Sequence, residues 1–236
     1  MRTPTTAIIG WAELLKGGRL DDKRTHEALA ALERSARAQA AVVNDLLDTS
    51  LIVRGALRLE MRRTNLGKVL TEAAETVELL AEAKKVTLTL AVRDDVSTID
   101  ADPDRLRQVF WNLLQNAVKF TPEGGSIEVA AQRQDDVVRV AVSDSGCGID
   151  PAFVPFVFDR FRQANGSSSR AYGGLGLGLA IVRELVELHG GSVEAASEGH
   201  GRGAQFIVRL PAGVRRREHD EAFEASAITA RGATAG

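Results

Sequence analysis

The sequence predicts an α+β protein in two parts, a helical hairpin followed by a sandwich in which helices pack on one face of several strands. Three observations support this prediction. Apolar residues recur every three or four positions in the first part, alternation with a period of two marks several later segments, and helical patterns lie between those segments. The 236 residues suffice for one large or two small domains.

Composition and charge argue against several classes of function. The formal net charge of −2 gives no bulk electrostatic reason to expect nucleic acid as a partner. The single Cys147 excludes an intrachain disulfide and a zinc site built on cysteines. No apolar stretch approaches the ~18 residues that span a bilayer, and we find no signal-peptide pattern. We therefore expect a cytoplasmic segment that makes no membrane contact.

The first part is predicted to be a hairpin with arms of unequal length. Its second helix carries an apolar stripe made of Leu29, Leu32, Ala36, Ala40, Val43, Leu47 and Leu51. That helix would run roughly 45–50 Å, and the first, over about residues 5–16, only about 18 Å. Either another molecule covers the excess stripe or the first helix begins upstream of Met1. Because one hairpin buries little surface, we expect two copies to pair in a four-helix bundle.

The second part is predicted to mix helices with strands. The expected helices cover residues 71–85, 103–119 and 175–189, and the expected strands cover 86–92, 126–133, 137–143, 192–196 and 205–210. From about residue 213 the chain loses its periodicity, as a flexible tail or linker does. We therefore predict domains at 1–60 and 61–212, followed by a tail at 213–236.

Polar side chains share one face of the predicted helix at 103–119. Asn112, Asn116 and Lys119 lie at i, i+4 and i+7, about a third of a turn from the apolar face. Such amides are usually exposed or capping groups. Together with the lysine, however, they offer oxygen ligands for a hard cation and a positive charge for phosphates.

Two glycine-rich segments follow. In "VSDSGCGID", Asp144 ends a strand, so its carboxylate can accept a hydrogen bond from an exocyclic amine while the glycines let a flat ring approach. In "YGGLGLGLAI", glycines open a helix and suggest a phosphate cradle of backbone N–H groups. Neither a dinucleotide fingerprint nor a Walker A loop is present, so any nucleotide site must use another architecture.

Five segments, in order, resemble the N, G1, F, G2 and G3 boxes of the sensor histidine kinases of two-component systems. They are "NLLQNAVKFTP", "DSGCGI", "FVFDRF", "GGLGLGLAI" and "GHGRGAQF", and they extend from Asn112 to Phe206. The resemblance implies a Bergerat-type α/β sandwich, with a mixed sheet covered by helices on one face. Gyrase, the Hsp90 chaperones and the mismatch-repair ATPases share this fold.

The resemblance also implies a site for ATP and Mg²⁺. By this analogy Asn116 and Asn112 hold the metal, Lys119 contacts the phosphates, Phe120 packs near the base, and Asp144 accepts from the adenine amino group. Two groups of residues complete the implied nucleotide contacts. The base wall is shaped by Gly146 and Gly148, and the lid and phosphate segments contribute Phe158, Phe161, Arg162, Arg170, Gly174, Leu175, Gly176, Leu177 and Gly178. Ala204 and Gln205 stand where the family often has Ser or Thr, so a hydroxyl contact near the base is not expected.

The hairpin resembles the family's dimerisation and phosphoacceptor domain, whose signature is His-Glu-Leu-Arg-Thr-Pro. The chain begins with "MRTP", so the acceptor His and its neighbouring Glu are expected before Met1. Thr3 matches the position associated with phosphatase action. His26, His189, His200 and His219 are interpreted as caps or surface residues, so the chain by itself is not expected to label itself from ATP.

The favoured function is therefore the catalytic core of a sensor histidine kinase, which binds Mg-ATP and pairs as a homodimer. The γ-phosphate of ATP would pass through a histidine to the receiver domain of a response regulator. A membrane anchor in an upstream sensor region of the parent is compatible with this expectation. The alternatives are a catalytically silent nucleotide-binding module that dimerises with an intact kinase, and a Bergerat ATPase that releases free phosphate. Gln108 and Gln115 are amides where such an ATPase needs a carboxylate.

Overall fold

The computed structural model describes residues 4–18, 20–93, 96, 98–163 and 176–212. The chain divides into two compact units. The first contains Met1–Arg58 and Asp150–Glu184, and the second contains Leu59–Ile149 and Leu185–Gly236. The domain boundaries expected at residues 60 and 212 stay a prediction.

The first unit begins with the predicted helical hairpin. Helix α1 (Pro4–Lys16) has 13 residues and helix α2 (Asp22–Val53) has 32, and the two pack against each other. Asp21 caps α2 by accepting a hydrogen bond from the backbone N–H of Arg24 at 2.7 Å. Several large apolar side chains of the hairpin are exposed, among them Leu29, Val43, Leu46, Leu47 and Leu51.

A mixed five-stranded sheet organises the second unit. Its strands are β2 (Thr87–Val92), β4 (Ser126–Gln134), β5 (Val137–Asp144), β6 (Ser192–Ala196) and β7 (Ala204–Pro211). Their order in the sheet is β2-β4-β5-β7-β6, and only the β2–β4 pair is parallel. A separate antiparallel pair joins β1 (Arg62–Asn65) to β3 (Thr98–Ala101). The predicted mixed sheet is confirmed.

Helices cover one face of this sheet. Helix α3 (Leu66–Ala83) packs on α4 (Pro103–Phe120), and the two contact the sheet at β2 and β5. Helix α5 (Gly178–Leu188) follows later in the chain. The buried side chains alternate along the strands, as in Ile127 and Val129 of β4 and Val140 and Val142 of β5. This alternation places the core between the sheet and the helices.

The structure corrects the starts of two helices and adds two strands. Helix α3 begins at residue 66 rather than 71, because the side chain of Asn65 caps it by accepting from the N–H of Lys68 at 3.0 Å. Strands β1 and β3 were not predicted, since each has only four residues and no clear apolar alternation. Helix α5 begins at Gly178, later than the expected residue 175, which lies outside the described residues.

Asp102 fixes the start of α4. One carboxylate oxygen, Oδ1, accepts from the backbone N–H groups of Asp104 and Arg105, each at 3.1 Å, and Oδ2 accepts from the N–H of Glu60 at 2.9 Å. Burial by itself would raise the pKa of Asp102, but these backbone hydrogen bonds outweigh it and hold the pKa below its usual value. The segment that leads into β1 is thereby tied to the first turn of α4.

His189 completes this cluster and is buried. Of the two interpretations, a cap or a surface residue, the structure supports the cap, because the ring bonds the last turn of α5. Its Nε2 accepts from the backbone N–H of Asp102 at 3.0 Å, so the ring proton lies on Nδ1, which donates to the carbonyl of Leu185 at 2.7 Å. Both ring nitrogens are thus hydrogen-bonded within the fold, an arrangement that serves the structure rather than phosphate transfer.

We predict that Asp102→Asn lowers the free energy of unfolding by about 1–3 kcal/mol at pH 7, since the amide cannot satisfy all three N–H groups. A carboxyl whose pKa is depressed by folding stabilises the fold above its unfolded pKa of about 3.9 and loses that effect as the pH falls. The deficit should therefore shrink below about pH 4. Urea unfolding across a pH series measures it.

The matched control is Asp100→Asn. The Asp100 carboxylate is exposed and lies 3.7 Å from the guanidinium of Arg63, so its replacement should change stability by less than about 0.5 kcal/mol. Equal deficits for the Asp102 variant at pH 7 and pH 3 would contradict the assigned role.

Candidate functional site

The polar face of α4 is built as the sequence predicts. Asn112 is buried, and Asn116 and Lys119 are half-buried one and two turns further along the helix. Within the described part of the chain, the Nδ2 atom of Asn112 is a buried side-chain donor with no hydrogen-bond partner. Leaving such a donor unpaired costs about 1–3 kcal/mol, so the position suits a ligand that brings an acceptor.

Lys119 presents a partly desolvated cation at the end of the same face. Burial lowers the pKa of its ammonium group, and Nζ lies 4.8 Å from the centroid of the Phe120 ring. A cation that has lost part of its hydration gains most from a directly bound anion. Lys119 and Phe120, both predicted site residues, therefore lie side by side at the C-terminal end of α4.

Asp144 is the last residue of β5, as predicted. Its Oδ1 accepts from the backbone N–H of Gly146 at 2.8 Å, and the N–H of Ala204 also donates to the carboxylate. Burial raises the pKa of Asp144, and these two hydrogen bonds counteract it. The carboxylate is thus held in place yet poorly solvated, which favours a hydrogen bond from a ligand donor.

The loop after Asp144 is packed too tightly for side chains at its glycines. A Cβ atom on Gly146 would lie 2.6 Å from Oδ1 of Asp144 and 2.7 Å from the carbonyl oxygen of Phe120. Gly148 has φ +71°, and a Cβ atom there would overlap the carbonyl of Gly199. The backbone N–H of Cys147 donates to the Phe120 carbonyl at 3.1 Å, which joins this loop to the end of α4.

Ser197 is a supporting residue that the sequence analysis missed. Its hydroxyl accepts from the backbone N–H of Ile149 at 2.9 Å and donates to the carbonyl of Gly203 at 2.7 Å. It therefore ties the loop that follows β5 to the glycine-rich segment before β7. In the sequence, the serine stands just before the glycine cluster "EGHGRG". That position was the available signal for its supporting role.

Ala204 and Gln205, which stand where the family often has Ser or Thr, make other contacts in the structure. Ala204 contributes its backbone N–H to Asp144, so no side-chain hydroxyl is needed for that contact. The side-chain amide of Gln205 donates instead to the hydroxyl of Ser143 at 2.8 Å, across the β5–β7 pair. The contact with the carboxylate is thus independent of the residue type at this position.

The predicted lid and phosphate residues that are described lie in the first unit. Phe158 and Leu177 are buried, whereas Phe161 is exposed. The backbone N–H of Phe161 donates to the carbonyl of Gly176 at 2.9 Å, and Gly176 has φ +69°. Gly178 begins α5. Residues 164–175, between these positions, lie outside the described residues.

Arg162 has protein partners of its own. Its Nε lies 3.5 Å from a carboxylate oxygen of Asp159, and its guanidinium lies 4.2 Å from the centroid of the Phe156 ring. Its predicted contact with nucleotide stays a prediction, as do those of the other residues of this unit. Thr3, Arg170, Gly174 and Leu175 lie outside the described residues.

Among the described residues, no group of three or more His, Cys, Asp or Glu side chains is arranged to hold a metal ion. A magnesium site on α4 would instead use amide oxygens. In the same part of the chain, every helix is too short or too polar to cross a membrane.

Two family models match the chain. The model for the His Kinase A (phospho-acceptor) domain matches residues 1–55, and that for the histidine kinase-, DNA gyrase B- and HSP90-like ATPase matches residues 101–214. Hybrid signal transduction histidine kinase D of Dictyostelium discoideum is 34% identical in an alignment 256 positions long, gaps included, that covers 89% of this chain and 17% of that protein. The circadian input-output histidine kinase CikA of Synechococcus elongatus is 37% identical, over 89% of this chain and 28% of its own length.

A solved structure agrees with these matches. Full-length ShkA in complex with AMPPNP is 33% identical to this chain with a TM-score of 0.71, and the match covers 90% of this chain and 44% of ShkA. The chain therefore belongs to the two-component sensor histidine kinases, a class of ATP-dependent protein-histidine kinases, and it contains an ATP-binding domain of that family. It spans less than half the length of each of these relatives.

We predict that Gly146→Ala destabilises the protein by about 1–3 kcal/mol, because the added methyl group meets backbone and a hydrogen-bonded carboxylate that cannot move freely. Gly10→Ala is the matched control. Gly10 lies in α1 with no atom within 4 Å of the new Cβ, so alanine there should be neutral or stabilising by up to about 1 kcal/mol. Urea unfolding of both variants tests the prediction, and a Gly146 variant as stable as the parent would contradict it.

Proposed function

We propose that α4 and the loop after β5 form the adenine and Mg-phosphate portion of an ATP site, and that this site serves phosphate transfer to a protein histidine. The single observation that carries the proposal is the buried, unpartnered amide of Asn112 on the same face as Asn116 and Lys119. An acceptor-rich anion such as a nucleotide phosphate satisfies that donor and pairs with the Lys119 ammonium.

Mg²⁺ fits this face chemically. The ion takes oxygen ligands, keeps several waters, and completes its shell with substrate phosphates and a few protein oxygens. The Asn112 and Asn116 side chains can each supply an amide oxygen, and the Nδ2 donor of Asn112 is then free to bond a phosphate oxygen or a metal-bound water. When bound, the ion supplies neutralisation of the charge on the transferred phosphate.

The protein's own contribution is binding and orientation. Asp144, fixed by Gly146 and Ala204, accepts from the exocyclic amino group of adenine, which selects adenine over a base that presents a carbonyl there. The glycines of this loop let its backbone pack against the Phe120 and Gly199 carbonyls, which fixes the loop beside the carboxylate. Lys119 holds the phosphates from the end of α4, so both ends of the nucleotide are positioned by elements of the second unit.

The transfer itself belongs to the proposed activity of the whole protein. The bond between the γ-phosphorus and the bridging oxygen breaks, a bond from that phosphorus to a histidine nitrogen forms, and ADP leaves. The remaining lid and phosphate contacts, from Phe158, Phe161, Arg162, Gly176, Leu177 and Gly178, are part of this proposal. So are Arg170, Gly174 and Leu175, together with Thr3 as a phosphatase-associated position.

Two partners belong to the proposal as well. The exposed apolar residues of α2 suit pairing of two hairpins in a homodimer, and a phospho-acceptor domain model matches this segment. The receiver domain of a response regulator would take the phosphate from the histidine. The match to a phospho-acceptor domain supports this second partner. A phosphotransfer assay with candidate receiver domains would identify it.

We predict that Asn116→Asp weakens Mg-ATP binding at least about tenfold, because it places a negative charge beside phosphates. Isothermal titration of the chain with Mg-ATP measures the effect. Gln115→Glu adds the same charge at the neighbouring exposed position of α4 and should change the affinity less than about twofold. Equal affinities for the Asn116 variant and the parent would count against the metal assignment.

We predict opposite effects of Asp144→Asn on binding and on stability. Losing a charge-assisted hydrogen bond to adenine should weaken ATP binding about 10- to 100-fold. The folded pKa of Asp144 is raised, so the stability that its protonated form provides is lost as the pH rises through that pKa. The variant should therefore be more stable than the parent at pH 7, with the difference vanishing in acid.

Calorimetry and urea unfolding measure the two effects of this substitution separately. Asp136→Asn, at an exposed turn position between β4 and β5, removes the same charge far from the site's carboxylate and should change neither property. A destabilised Asp144 variant at pH 7, or one that binds ATP with the parent affinity, would overturn this account of the carboxylate.

A further inference from the structure

The C-terminal end of α4 is held by a lysine from another helix. Nζ of Lys84 donates to the carbonyl oxygens of Val118 and Lys119 at 2.7 and 2.8 Å. The last carbonyls of a helix have no partner within the helix and must find one elsewhere. Lys84 thus supplies partners for two of them, one of which belongs to the lysine of the polar face.

The other two terminal carbonyls are bonded as well. The carbonyl of Ala117 accepts from the backbone N–H of Thr121 at 3.0 Å and from its buried hydroxyl at 2.7 Å. The carbonyl of Phe120 accepts from Cys147, as described above. Of these partners, only Lys84 brings a formal charge. Its ammonium group lies where the partial negative charge of the helix end is concentrated, which strengthens both hydrogen bonds.

Lys84 comes from a well-anchored position. It is the residue that caps α3, and α3 packs along α4 through a row of buried side chains. The packing of α3 fixes the backbone of Lys84, so its ammonium group reaches the end of α4 from a defined position. Lys84 therefore links the end of α3 to the end of α4, next to Lys119.

We propose that Lys84 is a positioning residue of the nucleotide site: by fixing the carbonyls of Val118 and Lys119, it sets the backbone from which the Lys119 side chain reaches the phosphates. This inference rests on the proposed ATP site. Because the Phe120 carbonyl is held independently by Cys147, the loss of Lys84 should affect the phosphate end of the site more than the adenine end.

The neighbouring lysine provides a matched control. Nζ of Lys85 lies 2.6 Å from a carboxylate oxygen of Glu123, and both side chains are largely exposed. Lys85 therefore carries the same charge one residue along the chain without bonding the end of α4. Lys84→Met and Lys85→Met change the net charge equally, so a difference between them reports the two hydrogen bonds rather than the charge.

The first experiment compares ATP with adenosine by calorimetry. Lys84→Met should weaken ATP binding about tenfold and adenosine binding less than about threefold, a coupling of ordinary size for groups in one network. Lys85→Met should change both less than about twofold. In a Lys119→Met background, the further effect of Lys84→Met on ATP binding should largely disappear. Equal losses for ATP and adenosine, or additive losses in the double variant, would overturn the proposal.

The second experiment needs no nucleotide and so separates this inference from the proposed function. Amide hydrogen exchange should speed up for Thr121 in the Lys84→Met protein and stay at the parent rate in the Lys85→Met protein. Lys84→Arg, which keeps the charge and the donors, should restore part of the protection. Unchanged exchange in Lys84→Met would refute the positioning role of Lys84, whether or not the parent binds ATP. A parent that fails to bind ATP would refute the ATP site alone.

Discussion

The structure depends on one constraint: helix α4 carries polar side chains on a partly buried face, and both of its ends must be fixed for that face to work. Asp102 holds the first turn with one carboxylate, and Lys84, Thr121 and Cys147 hold the last one. Apolar burial of the opposite face supplies the stability that offsets an unpaired amide at Asn112.

The same two ends connect α4 to other parts of the second unit. At the N-terminal end, Asp102 bonds the backbone of Glu60, in the segment that follows the hairpin, and His189 at the end of α5. At the C-terminal end, the Phe120 carbonyl bonds the loop that carries Asp144 and its glycines. In this arrangement α4 joins the segment around Glu60, at its first turn, to the loop after β5, at its last.

Much of this architecture was predictable, for identifiable reasons. Helix α4 has a cap at Asp102, Pro103 in its first turn and a regular apolar stripe, so its bounds differ from the prediction by a single residue. Asp144 and its glycines stand in a local turn whose chemistry is readable from neighbouring letters. Strands β1 and β3 escaped prediction because pairing between two four-residue segments is a tertiary event. The roles of Lys84 and His189 escaped for the same reason, since each bonds backbone more than 30 positions away and no local pattern marks such a contact.

The most direct test of the central claim is a two-dimensional ¹⁵N spectrum of the chain titrated with Mg-ATP. The account predicts that the side-chain amide of Asn112 and the backbone amide of Gly146 shift together, saturating at one common affinity. Backbone signals from the turn between α1 and α2 should stay in place and serve as the internal reference. Saturable binding that leaves Asn112 and Gly146 unshifted while other surfaces respond would contradict the claim that α4 and the loop after β5 form the nucleotide site.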